Sequence, residues 1–584
     1  MKKFSKVFLF GTLLLSFGMA GCSSEAKIPS EPTLGKLSFV DIDANTCAVQ
    51  GAVTATGNPN RNVSGPVVIP AQHNGKNVVK VLNRGFMGFD KVTAFVIPEG
   101  VQEIEAEAFI ACGKATTLQV PDSVTVVGAH AFDSCSSLKE IDLDHVDVIE
   151  EGILRSCKDL KKVALSDNIT TYAKESFAYC LSLSEINISS KLTTIGEGAF
   201  AKCRSLKGIE LPQTLTEIGK EAFLSCRAFT EATIPETVVT LGSGIFKQCT
   251  NLASVTLPAN LEKIEDEMFS ECSSFATFTV GNKVTEIGKG AFNKCLGVTE
   301  IVLPEGLKTI GNEAFKECSA LRDINIPDSV TFIGDDAFDR DTVLRTETIE
   351  GGVYFGNESN KHLVFVSPYS TKIDSFKVED GTKFILSDAF NGIDTLEEIT
   401  LPTSLLSIGS ESFLKCTALT EISIPKSVTY IGKAAFSGCE ALAKVNYPGT
   451  AKEWLAIEKG NNYSSGVSAN TKVACSDKEI PFFLEKVTVS VINVPAAFIP
   501  EVGGIMAKYW GGCEEEQLVD AVVENSMVKF VMAVDATTFV LVQTDENGDP
   551  IWGEGHQSEE VEIIKTKEDY KYPFPGILGE EEDV

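Results

Sequence analysis

Ile195-Gly196-Glu197-Gly198-Ala199-Phe200-Ala201-Lys202-Cys203-Arg204-Ser205-Leu206-Lys207-Gly208-Ile209-Glu210-Leu211-Pro212-Gln213-Thr214-Leu215-Thr216-Glu217 is one unit of a pattern that recurs along most of the chain. Its phenylalanine position returns at Phe86, Phe109, Phe132, Leu154, Phe177, Phe200, Phe223, Phe246, Phe269, Phe292, Phe315 and Phe338, and again at Phe390, Phe413 and Phe436. The step is 23 residues, except for 22 between Phe132 and Leu154 and 52 between Phe338 and Phe390. A fixed period of this length means a solenoid, in which no unit buries its apolar face alone and stability comes from stacking. The expected fold is a β-rich solenoid of about fifteen coils. Each coil is expected to hold two short strands and a helical turn, with Phe filling the interior between two strand walls.

The same period accounts for an odd composition. The chain has 584 residues, 16 Cys, 35 Phe and only 3 Trp. Twelve of the cysteines sit three residues after the repeat phenylalanine: Cys112, Cys135, Cys157, Cys180, Cys203, Cys226, Cys249, Cys272, Cys295, Cys318, Cys416 and Cys439. Side chains that recur once per coil stack at the strand spacing of about 4.8 Å and point the same way, whereas a disulfide needs converging Cβ atoms about 3.8 Å apart. The expectation is a ladder of buried thiols, each with its weak S–H donor in a tight inner corner. A zinc site would use short C-x₂₋₄-C steps, so no metal is expected there. Proline closes the first strand in ten copies, as Pro212 does, where no ladder donor is needed. Nine copies keep the glycine of Gly219, which permits either φ > 0 or close approach of a neighbouring coil.

These repeats resemble the bacterial leucine-rich repeats of the BspA-like family from residue 80 to about 448. Residues 36–85, with Leu37-Ser38-Phe39 and Cys47-Ala48-Val49-Gln50-Gly51, resemble the β-rich N-terminal cap of such solenoids. Tyr447-Pro448-Gly449-Thr450, Trp454 and Ile457, with Val473-Ala474-Cys475-Ser476-Asp477, resemble the closing cap, placed at 449–480. The repeats then occupy 86–340 and 390–448. Between them lies an irregular segment, 341–389, whose Gly352-Val353-Tyr354-Phe355-Gly356 and Leu363-Val364-Phe365-Val366 read as a hairpin. It is either a binding loop or a tolerated elaboration.

The ends carry different signals. Lys2, Lys3 and Lys6 precede an apolar run that ends at Met19-Ala20-Gly21-Cys22. Residues 1–21 read as a signal peptide, too short for a spanning helix, and the junction resembles a lipobox with Met19 in place of its usual leucine. The resemblance implies cleavage before Cys22, lipidation of its sulfur and an anchor on the outer face of a bacterial membrane or cell surface, with 22–35 as a linker. From 481 to 566 the period is lost. Alternating stretches around Val487, Val489, Val491 and Phe530, and the run Phe539-Val540-Leu541-Val542, suggest a small antiparallel sandwich. Tyr509, Trp510 and Trp552 are candidates for a sugar-binding platform, since the surrounding A-K-Y-W-G-G stretch faintly resembles starch-binding modules. Core aromatics are the favoured reading of these residues, since buried Trp commonly anchors β-sandwiches. Residues 567–584 form an acidic tail.

Charge and motifs narrow the function. With 51 Lys+Arg against 81 Asp+Glu the net charge is −30, which disfavours nucleic acid as a partner. There is no H-E-x-x-H, G-x-S-x-G or phosphate loop, and His73, His130, His145, His362 and His556 are scattered and read as satisfied or solvent-facing. No enzyme, cofactor or metal is expected. The outward first-strand positions, Asp142, Ala164, Asn187, Glu210, Thr233, Thr256, Thr279, Val302, Asn325, Thr400, Ser423 and Asn446, are mostly small and uncharged, with the threonines read as a strand-propensity row. The resemblance implies an adhesin-like surface protein whose solenoid binds proteins of host or neighbouring microbes. The competing reading is a glycan-capturing lipoprotein that uses its terminal domain.

Overall fold

The computed structural model describes residues 37–51, 61–338, 346–468 and 470–482, together with the strand backbones between 486 and 573. The chain is a β-solenoid of about 16 turns. It divides into two compact units, residues 1–300 with 317–320, and 301–316 with 321–584.

In the first unit the strand Leu37–Asp41 pairs antiparallel with Thr46–Gly51, which then runs parallel to Lys76–Val81. From there most coils add a short parallel rung on each of two sides, but the coil around Ile209 forms no first strand and the second-strand ladder breaks between Thr240–Leu241 and Lys263–Ile264. Thr194 faces Glu217 and Glu217 faces Thr240, so the register advances by one repeat per rung. The interior is a column of rings. Phe177, Phe200, Phe223, Phe246 and Phe269 stack with centroids 5.2, 5.7, 5.7 and 6.1 Å apart. Leu154 interrupts the column, and in the next coil Tyr172 stands where most coils place Ile, Val or Leu, its ring set edge-on to Phe177 and Phe200.

The third side of each coil is not a helical turn, contrary to the expectation from its length. The amides of Glu221, Phe223 and Ser225 donate to Ser243, Ile245 and Lys247 of the following coil, while those of Ala222, Leu224 and Cys226 donate three residues back. An α-helix would spend every amide inside its own segment. Left-handed backbone at Glu221 (φ 53°) and Ser225 (φ 58°) turns alternate peptide planes along the stack instead. The same two positions are left-handed in most coils, and Glu, Lys or Ser fills them more often than Gly does. Among the described residues the only α-helix is Ala451–Ala456.

Gly219 resolves its two options in favour of close approach. Its φ is ordinary, but an added Cβ would lie 2.6 Å from the backbone nitrogen of Glu197 in the preceding coil. Proline opens a turn as well as ending a strand: Leu215 N donates to Pro212 O at 3.1 Å.

The thiol ladder is present, and its chemistry is directional. Each sulfur donates to the carbonyl of the repeat phenylalanine position one coil back, as Cys226 Sγ does to Phe200 O at 3.2 Å and Cys249 Sγ to Phe223 O at 3.2 Å. All twelve ladder cysteines are buried and free of disulfides. Burial pushes the thiols of Cys180, Cys249, Cys416 and Cys439 up to about 12 and holds Cys203 and Cys226 well above the usual range.

In the second unit the repeat stack is interrupted by an antiparallel meander, Glu347–Ile349, Gly352–Phe355 and Val364–Pro368. Val364–Pro368 then pairs parallel with Phe384–Ile385 and restarts the ladder through Ser407–Ile408, Tyr430–Ile431 and Glu458–Lys459. Phe332–Ile333 ends its own sheet and does not join this one. Side chains bridge the break. Asp335 accepts from Tyr430 Oη at 2.7 Å and from Ser410 N at 3.1 Å, and Phe332 packs edge-on against Tyr430.

The helix Ala451–Ala456 starts on a capping box between Thr450 and Glu453 and buries Trp454. Trp454 and Phe482 close the ring column over Phe436. Beyond it, seven strands follow one path, and all their pairings are antiparallel except Lys486–Ile492 with Tyr570–Pro573. Within Gln517–Glu524 the partner changes: residues 517–521 pair with Ile505–Trp510, and 522–524 with Met527–Ala533. Strands that turn the corner between two sheets do this.

Candidate interaction surface

Alternation along several of the first strands turns one residue inward and exposes its neighbours. In Glu231–Thr233, Ser254–Thr256 and Thr277–Thr279 the outer residues are exposed, so Thr233, Thr256 and Thr279 form one row and Glu231, Ser254 and Thr277 a second. Asn187 and Glu210 continue the first row as exposed residues, whereas Asp142 is half-buried and Ala164 buried. Asn187 makes its own contribution to stacking: its amide bridges Leu165 N at 2.8 Å and Leu165 O at 2.7 Å on the preceding coil. In the second unit Asn446 donates to Glu421 and, at 3.3 Å, to Ser423 Oγ. Hydrogen bonds from Asn446 and Lys444 hold the Glu421 carboxyl below its usual range.

The acidic residues that stand just before the repeat isoleucine or its substitute, Glu140, Glu185, Glu231, Glu300, Glu398 and Glu421, are all exposed. Opposite charges meet across coils on the turn side. Arg84 grips Glu107 at 2.8 and 3.0 Å, which lowers that carboxyl, and Lys247 reaches Glu267 at 2.6 Å. Such exposed pairs are screened by solvent and serve mainly to keep the surface solvated.

Exposed apolar side chains are few and scattered. Val239 (84 % exposed) and Tyr369 (78 %) stand out, the latter beyond the strand Val364–Pro368 of the meander. No aromatic row marks an anchor site among the described residues.

The four described histidines lie in different places. His73 stacks on Phe39 with centroids 3.9 Å apart, His130 meets Asp133 at 3.2 Å, and His362 sets its ring edge-on to Tyr354. These three fit the sequence reading. His145 departs from it, since both its ring nitrogens are shielded from solvent and neither makes a hydrogen bond. No sequence motif announces this.

Of the other residues singled out from sequence, Cys22 and Trp552 lie outside the described residues. Tyr509 and Trp510 are consecutive positions of the strand Ile505–Trp510, paired with Phe539 and Thr538.

A comparison with curated proteins gives no match. Among solved structures the chain is similar to a leucine-rich repeat protein from Bacteroides ovatus ATCC 8483, at 22% identity over 75% of this chain and 98% of that one, with a TM-score of 0.49. It is also similar to a leucine rich cell surface protein from Faecalibacterium prausnitzii A2-165, at 23% identity over 74% and 99% of the two chains, TM-score 0.39. A leucine-rich repeat protein from Eubacterium ventriosum ATCC 27560 matches at 21% identity over 55% and 96%, TM-score 0.36. The repeat sequence itself carries the assignment. It matches the BspA type leucine rich repeat region over residues 79–207, 170–298, 285–359 and 367–456, more than half of the chain, so the chain belongs to the BspA-type leucine-rich-repeat family.

Proposed function

We propose that the protein is a non-enzymatic binding scaffold, held on the outer face of a bacterial membrane by lipid at Cys22, whose strand face engages proteins of a host or of neighbouring microbes. The observation that carries this reading is the row Asn187, Glu210, Thr233, Thr256 and Thr279, exposed on successive coils of a family repeat. A stack of short parallel rungs offers a long and shallow surface, which suits a macromolecule better than a small substrate. The three lysines and the apolar run before Cys22 support export and anchoring.

The test uses the full chain and two sets of substitutions. Thr233, Thr256 and Thr279 changed together to Arg should abolish capture of purified matrix or microbial surface proteins and leave circular dichroism unchanged. Tyr509, Trp510 and Trp552 changed together to Ala should leave that capture intact. Retention of α-glucan by the parent chain, lost in the second set alone, would instead establish the glycan-capturing reading. Fatty-acid labelling that disappears in Cys22→Ser tests the anchor.

A further inference from the structure

One coil breaks the rule by which the others turn. Where Pro212 opens the turn in its coil, Asp144 holds the equivalent position here, and the step to the next repeat is 22 residues instead of 23. The turn closes a residue early, with Val146 N on Leu143 O at 3.0 Å, so Asp144 and His145 become its two central residues. Asp144 N is held on Asp142 Oδ1 at 3.1 Å. Among the described residues this is the one place where three side chains able to ligate a metal converge. One atom each from Asp142, Asp144 and His145 lie within 4.8 Å of one another.

The imidazole supplies a second and independent observation. The His145 side chain is 11% exposed, and both its ring nitrogens are shut off from solvent without a hydrogen-bond partner. A buried polar group left in that condition is destabilising, and nothing in the stacking of the coil asks for it. Asp144 Oδ1 lies 3.5 Å from Nδ1, and Asp122 Oδ1 of the preceding coil lies 3.9 Å from it. The first distance is long for a hydrogen bond. It is close to the separation of about 3.4 Å that two ligands keep on one tetrahedral ion with bonds near 2.1 Å.

We propose that Asp142, Asp144 and His145 bind a divalent transition-metal ion of the zinc class, with Asp122 within reach as a fourth ligand. An ion there takes the lone pair of the stranded imidazole and neutralises the charge of the clustered carboxylates. The imidazole favours zinc, cobalt or nickel over calcium or magnesium, which prefer oxygen alone. Asp142 is itself one of the outward strand positions, so the ion would sit at the border of the strand face.

Cobalt(II) titration of the full chain, followed by visible absorption and then by displacement with zinc, tests the site. The expected result is one saturable equivalent of cobalt without a thiolate charge-transfer band. His145→Ala and Asp142→Asn should each weaken it by about tenfold or more, and Glu140→Gln, an exposed carboxylate on the same strand, should leave it unchanged. Zinc should raise the melting temperature of the parent and not of Asp142→Asn. Absence of cobalt uptake above the level of His145→Ala overturns the proposal. Uptake that carries a thiolate band and survives in His145→Ala also overturns it, because the ion would then sit on cysteines.

Discussion

A thiol suits the ladder position because the carbonyl it faces has one lone pair to spare. Phe200 O accepts Cys203 N at 3.1 Å within its own coil and Cys226 Sγ at 3.2 Å from the next. Alanine there would leave the second lone pair bare and a small void beside a stacked ring. Cys226→Ala should therefore cost about 1–2 kcal/mol, read as a lower denaturant midpoint. The ladder also has a pH signature. An unfolded thiol ionises near 9, whereas burial moves Cys180 and Cys249 up to about 12. A raised value means that the stabilisation is complete below 9 and is lost as pH climbs through 12. The denaturation midpoint should fall over that interval, and at pH 8 a maleimide should label the ladder cysteines only after unfolding. Glycines separate in the same residue-level way. Gly219→Ala drives a methyl against backbone 2.6 Å away, while Gly198→Ala meets nothing nearer than 3.5 Å and pays only for its φ of 59°. The first should cost clearly more than the second, for which about 1–2 kcal/mol is expected. The need for a glycine was legible in sequence at Gly219, but which of its two reasons applied was not. That depended on how close the preceding coil comes.

At the scale of elements, the strands and the ring column followed directly from the period, because apolar residues that recur once per coil can only stack. The third side did not follow. Glu221 and Ser225 carry no glycine-like signal, yet both are left-handed, since the gain comes from amides that reach the following coil and lies outside the segment itself. The break after Phe332–Ile333 was visible as an irregular spacing, but not its clasp, which joins Asp335 to Tyr430 across 95 positions of sequence. Burial and the Asp335 carboxylate raise the Tyr430 phenol, so it stays a donor at any ordinary pH. Tyr430→Phe and Asp335→Asn should each cost about 1–3 kcal/mol locally. Hydrogen exchange should show it as faster exchange of Ser410 and the rung Tyr430–Ile431, with little change near Phe200. The Asp142–His145 turn was half legible: the lost proline and the short step mark the coil as irregular, but only the fold reveals the stranded imidazole.

Across the whole molecule, stability is a sum of neighbour contacts, and the caps decide where fraying begins. Trp454→Ala removes a fully buried ring from the closing cap and should cost about 3–5 kcal/mol, with exchange rising first over residues 430–480. The repeat sequence made family and fold readable because one rule is written many times. Function is written in the departures from that rule and in the solvated faces, where residue type is only loosely constrained by stacking. The central claim is that the strand face is the working surface. Capture of purified matrix or microbial surface proteins by the full chain, compared with the Thr233, Thr256 and Thr279 to Arg variant, tests it most directly. The account predicts capture by the parent and its loss in the folded variant; equal capture by both, or capture lost only when Tyr509, Trp510 and Trp552 are changed, would contradict it.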